Sequence, residues 1–84
     1  MRSEVKEFLT IPIGEGVVKI DIADIYFIEG QRHNVIYYTS RGDYCSRITM
    51  KELEEKLAVH NFFRCAKGYL VNMNHVEGLL VLIA

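Results

Sequence analysis

Four side chains in two short stretches carry the chemistry that this sequence can offer to a partner. Arg32, His33 and Asn34 stand consecutively in the polar segment after Glu29-Gly30, and Lys67 lies between Ala66 and Gly68. Arginine and lysine pair with phosphate oxygens, while an asparagine amide presents a donor and an acceptor together and can match a base edge. Asn72 and Asn74 add further amides near the second stretch. Catalysis needs something else: a base beside a nucleophile, or two carboxylates held together. His33, His60 and His75 are scattered, and none has a patterned neighbour. A metal site would draw on Cys45, Cys65 and those histidines, which share no ligand spacing. The residues therefore point to a binding module, with no enzyme activity, metal or cofactor expected.

The charge map supports that direction more than the net charge does. The chain has 84 residues, half of them hydrophobic, with 10 basic and 11 acidic side chains and a formal charge of −1. Residues 1–30 hold six acids and three bases. Residues 31–51 hold Arg32, Arg41, Arg47 and Lys51 against Asp43 alone, and 58–76 hold Arg64 and Lys67 with no acid. Basic side chains near turns can reach a phosphate backbone, although solvated loop charge is the plainer reading of any one of them. Nucleic-acid binding and a protein-interaction role both remain open on the residues alone. Exposed rings from Tyr37-Tyr38 or Phe62-Phe63 leave single-strand stacking as a lesser reading.

Two cysteines without a CxxC pair, and an opening stretch without an apolar core, imply a reducing, cytoplasmic setting with free thiols, at least one of them buried. The longest strongly apolar run, Leu79 to Ala84, is six residues, against the roughly 20 that a membrane helix needs. No membrane partner is expected.

Mostly strands must position these groups. Phe8–Ile13 and Val17–Ile20 flank Gly14-Glu15-Gly16 and read as a hairpin, with Pro12 marking a terminal or edge strand. Ile25–Glu29 is a strand, 30–34 a polar loop, and Val35–Thr39 with Tyr44–Ile48 a second hairpin around 40–43. Thr49 followed by Glu52 is a capping box opening a helix whose Met50, Leu53 and Leu57 share one face. Its polar opposite face makes it a surface helix, ending near His60-Asn61. Phe62–Cys65 and Val76–Ile83 read as strands, and Tyr69–Val71 as a strand or a helical turn. The fold class expected is mainly β, an elongated antiparallel assembly with one short surface helix.

Three stretches, in order, resemble the LytTR DNA-binding domain found in many bacterial response regulators. They are Asp24-Ile25-Tyr26-Phe27-Ile28-Glu29-Gly30, the helix Thr49 to Leu57, and Phe62-Phe63-Arg64-Cys65-Ala66-Lys67-Gly68-Tyr69-Leu70-Val71-Asn72. The resemblance covers roughly residues 8–80. It implies transcription regulation within a two-component system, by sequence-specific binding of double-stranded promoter DNA through loop side chains. It also implies direct-repeat sites, a homodimeric arrangement and an upstream receiver domain in the full-length protein.

Carried over by position, the resemblance puts DNA contacts at Arg32, His33 and Asn34 and a phosphate contact at Lys67. Arg64, Gly68 and Asn72 join the candidate set, Arg64 also as a brace and Asn72 also as a turn-stabilising amide. Tyr69, Leu70 and Val71 match structural positions. Two departures stand out: Ala66 and Gly68 occupy the family's usual His and Ser positions. The family also continues with a further strand and a terminal helix, so residues 1–84 are expected to form a single domain short of both. On that footing the alternative is a protein-interaction or dimerisation module with degenerate DNA binding, pairing through Leu79–Ile83.

Overall fold

The computed structural model describes residues 7–66 and 68–75. Among these residues there are seven strands: β1 (Phe8–Ile13), β2 (Gly16–Asp21), β3 (Ile25–Gly30), β4 (Val35–Thr39), β5 (Gly42–Ser46), β6 (Phe62–Cys65) and β7 (Tyr69–Asn72). One helix, α1 (Met50–Leu57), joins the β5 and β6 halves, and short 3-10 turns occupy Ile22–Asp24, Ala58–His60 and Met73–His75. β1 and β2 form a two-stranded sheet, and the other five run in the order β5-β4-β3-β7-β6. Every pairing is antiparallel. The mainly β reading with one short surface helix holds.

Alternation decides which side chains face inward. Along β1 only Leu9 and Ile11 are buried, and along β4 Val35, Tyr37 and Thr39 are buried while Ile36 and Tyr38 are half-buried. β3 buries Ile25 and Ile28, an odd spacing that simple alternation forbids. The ladder pairs Ile25 with Thr39 but Phe27 with Tyr38, so Tyr26 is an extra residue in a bulge. The bulge resets the pleat, turns Tyr26 outward and lets both isoleucines reach the core.

α1 opens as its sequence dictates. The Thr49 hydroxyl accepts from the Glu52 N–H at 3.1 Å and the Glu52 carboxylate accepts from the Thr49 N–H, completing the capping box. Leu53 and Leu57 are fully buried, one helical turn apart. They join Leu9, Ile11, Ile20, Ile25, Ile28, Val35, Tyr37 and Leu70 in one core lying between the two sheets and the helix. Full burial of one such aliphatic side chain contributes about 1.5–3 kcal/mol. Tyr37 brings a hydroxyl into that core and shares a 2.8 Å hydrogen bond with Ser46 Oγ.

The five-stranded sheet has a second face. Across the strands in register, one row is Asp43, Tyr38, Phe27, Val71 and Phe63, and the next is Cys45, Ile36, Glu29, Tyr69 and Cys65. None of these ten residues is buried. Both cysteines are free, Cys45 exposed and Cys65 half-buried, so the expectation of a buried thiol fails. Tyr69, matched to a structural position, is also exposed, as is Tyr26. β5 starts two residues earlier than the sequence suggests, because Gly42 adopts φ 129° and already pairs with Thr39, leaving Ser40-Arg41 as the turn. The expected strand Val76–Ile83 lies outside the described residues, as does the opening segment 1–6.

Candidate nucleic-acid interface

Antiparallel order brings three separated segments to one end of the five-stranded sheet. The β3–β4 loop is closed by the Gln31 N–H donating to the Asn34 carbonyl at 2.7 Å. The β6–β7 loop is docked beside it, since the Gly30 N–H donates to the Gly68 carbonyl at 2.7 Å. The start of α1 arrives at the same place. A Cβ on Gly30 would sit 2.8 Å from Met50 Cγ, so glycine is what lets the helix start approach β3 this closely. Arg32 and His33 are exposed at the loop tip, and Asn34 is half-buried at its base. A shallow cleft of about 360 Å³ separates the loop from the helix start and is lined by Arg32, His33, Asn34, Ile48, Thr49 and Met50.

Partnering separates the arginines into two groups. Arg41 meets Asp24 at 3.5 Å, at the opposite end of the sheet. Arg64 meets Glu54 of α1 at 3.0 Å, tying β6 to the helix. Among the described residues, Arg32 and Arg47 make no such ion pair. Free guanidinium groups therefore collect at the loop end. The N-terminus of α1 lies there too, but its Thr49–Glu52 box fills it with a carboxylate, which excludes it as an anion site.

The candidate residues sort accordingly. Arg32 and His33 stand accessible, with the half-buried Asn34 beside them. Gly68 stands beside them, half-buried, with its carbonyl engaged by Gly30. Lys67 lies outside the described residues. Arg64 is a brace, because its guanidinium is committed to Glu54. Of the two roles read for Asn72, the contact is corrected and the turn-stabilising amide is what the structure shows: it is 1% exposed, its Nδ2 donates to the Ile25 carbonyl at 2.9 Å, and its Oδ1 accepts from the Asn74 N–H at 3.0 Å. It cannot reach a ligand without breaking the fold. Arg47 was only one base among several on sequence. Its signal lies in hairpin register: the ladder ends with Val35 opposite Ser46, and the residues just beyond, Asn34 and Arg47, line one depression.

The sheet's outer face has different electrostatics. The Tyr38 hydroxyl donates to Glu29 Oε1 at 2.8 Å and the Tyr69 hydroxyl to Glu29 Oε2 at 3.4 Å. The hydrogen bond to the Glu29 carboxylate, followed by burial, pushes the Tyr38 phenol above its ordinary value. Burial does the same to Tyr37, against a smaller lowering by Ser46. Phe27 stacks on Tyr38 with centroids 4.5 Å apart, and Phe63 is exposed. Rings are thus available, but Glu29 and Asp43 are the charges among them and repel a phosphate chain. Single-strand stacking across this face is disfavoured. No helix among the described residues is long and apolar enough to cross a membrane.

The chain resembles characterised proteins in both sequence and fold. The family profile described as the LytTr DNA-binding domain matches residues 15–80. The transcriptional regulatory protein YpdB of Escherichia coli K12 is 32% identical over 63 residues, covering 75% of this chain and 26% of that protein. The sensory transduction protein LytT of Bacillus cereus is 32% identical over 68 residues, covering 81% of this chain and 28% of that protein. This chain thus spans about a quarter of the length of these curated relatives. A solved LytTr DNA-binding domain from Bacillus cereus superposes with a TM-score of 0.72 at 19% identity, over 88% of this chain and 68% of that one.

Proposed function

The chain belongs to the LytTr DNA-binding domain family, and from that premise we propose that it binds double-stranded DNA with sequence preference, through loop side chains, as the DNA-contacting part of a transcriptional regulator. The observation that carries this reading is the gathering of accessible, unpaired Arg32 with His33 and Asn34 on a loop closed by its own backbone. Arg32 supplies charge for phosphates, while His33 and Asn34 supply donors and acceptors suited to base edges in a major groove. Lys67 joins them as a phosphate contact on the sequence resemblance, and the Gly68 backbone stands at hand. The names of the relatives, a transcriptional regulatory protein and a sensory transduction protein, fit a DNA-contacting module within a longer regulator. An upstream receiver domain and paired binding on direct repeats belong to the same proposal.

Selection of bound duplexes from a random pool, followed by titration of the selected and scrambled sequences, tests this. The parent should prefer its selected sequence. Asn34→Ala should narrow that preference by about 1–3 kcal/mol if Asn34 reads a base edge. Lys67→Ala should weaken binding to all duplexes and reduce the salt dependence by about one phosphate. Equal affinity for selected and scrambled DNA, in parent and variants alike, would sink the specificity claim.

A second reading is a protein-interaction or dimerisation module, and the observation favouring it is the accessible aromatic face bearing Phe27, Tyr38, Tyr69 and Phe63. It predicts self-association in sedimentation together with no DNA binding at low salt.

A further inference from the structure

We propose that Arg47 is a phosphate anchor of the same interface, gripping the DNA backbone beside the stretch that the β3–β4 loop reads. The inference rests on the DNA-binding reading and extends it to a residue that the family resemblance does not supply. Three observations carry it. First, Arg47 stands next to the loop. The β4–β5 ladder ends with Val35 opposite Ser46, and one step further Arg47 and Asn34 line a common depression with Gly14 of the β1–β2 turn. Second, Arg47 is exposed and has no ion-pair partner among the described residues, unlike Arg41 and Arg64. Its charge is therefore not already neutralised within the fold.

Third, the backbone that carries Arg47 is fixed on both sides. Ser46 before it is buried and hydrogen-bonded to Tyr37, and Thr49 two residues after it is the helix cap. A guanidinium on so short and anchored a bridge loses little backbone freedom when it engages a phosphate. Its place on the flank of the loop, away from the tip, suits a phosphate rather than a base edge. Phosphate contacts fix register and orientation, and here that would hold Asn34 and His33 at a set depth in the groove.

The test is titration of the full chain with a fluorescent duplex of random sequence across a salt series, for the parent, Arg47→Ala, Arg47→Lys and Arg32→Ala. Arg47→Ala should weaken binding and reduce the slope of log affinity on log salt by about 0.9, one phosphate's worth. Arg47→Lys should retain the slope, because a point charge still neutralises a phosphate. Unfolding midpoints should match the parent, which separates lost contact from lost fold. If Arg32→Ala lowers the slope while Arg47→Ala leaves slope and affinity at the parent values, the anchor is wrong and the DNA reading stands. If the parent binds no duplex at low salt, both are overturned together.

Discussion

The two ends of the five-stranded sheet use their polar groups in opposite ways. At the end holding the β4–β5 turn, polar groups bond to one another. The Ser40 N–H donates to the Asp24 carbonyl, the Met73 N–H to the Asn61 carbonyl, and the Asn61 amide to Asn74 Oδ1. His75 Nε2 donates to the Ala23 carbonyl at 2.6 Å, and Asn72 bridges Ile25 and Asn74. The one guanidinium of that turn, on Arg41, is paired with Asp24. At the other end two short backbone bonds close and dock the loops, and the side chains of Arg32 and His33 project from them uncommitted. One end is stitched, the other presented. A side chain already bonded to the fold is costly to recruit for a ligand, so the difference marks where a partner is met.

The largest break in this comparison comes from the stitch itself. Asn72→Ala leaves the Ile25 carbonyl and the Asn74 N–H without their partner. Stability should fall by about 2–3 kcal/mol, the cost of unsatisfied groups in a buried place. Urea unfolding followed by circular dichroism measures it. DNA affinity, taken where the variant is still folded, should equal the parent's. Full stability with lost binding would instead make Asn72 a contact and dissolve the contrast between the ends.

The left-handed residues sharpen the same contrast. Asn61, at the stitched end, has φ 67°, and Ala66, in the presented β6–β7 loop, has φ 62°. Asparagine tolerates this conformation and here bonds across to Asn74, whereas alanine bears its Cβ clash with nothing in return. Ala66→Gly should therefore raise stability by about 1 kcal/mol, visible as a higher urea midpoint at constant slope. A neutral or lowered midpoint would mean that the loop is not strained at this position. Strain held in a presenting loop is common where a backbone is shaped for a ligand rather than for its own stability.

This division was only half legible in the sequence. Elements governed by local rules were: the Thr49–Glu52 box named the helix start, and β-branched alternation named β4. The charge map pointed to Arg32 and its neighbours, and the structure leaves Arg32 and His33 exposed, because a polar loop between two strands has little to bond with. What failed were properties set by distant pairing. Asn72 reads as a signature amide, and nothing local says that its partner is the carbonyl of Ile25, 47 residues away. Nothing local shows the bulge at Tyr26, which leaves Ile25 opposite Thr39 but Phe27 opposite Tyr38. Arg41 reads as free charge until the fold brings Asp24 to it, and the brace reading of Arg64 gains its partner, Glu54, only in the fold.

Arg41 supplies the finest discrimination. By composition it is equivalent to Arg32: an exposed arginine at a turn of the same sheet, in the same basic stretch. The structure distinguishes them only by position and by one ion pair with a largely exposed guanidinium. Such a pair contributes little, so Arg41→Ala should change stability by less than about 0.5 kcal/mol. Arg32→Ala should be equally mild on the fold, since that side chain touches nothing that holds it together. The two variants should therefore be indistinguishable in unfolding and separate only in a DNA titration, where Arg32→Ala alone loses affinity and salt dependence. If both lost it equally, net charge rather than placement would govern binding. The presented end would then be no more a site than the stitched one.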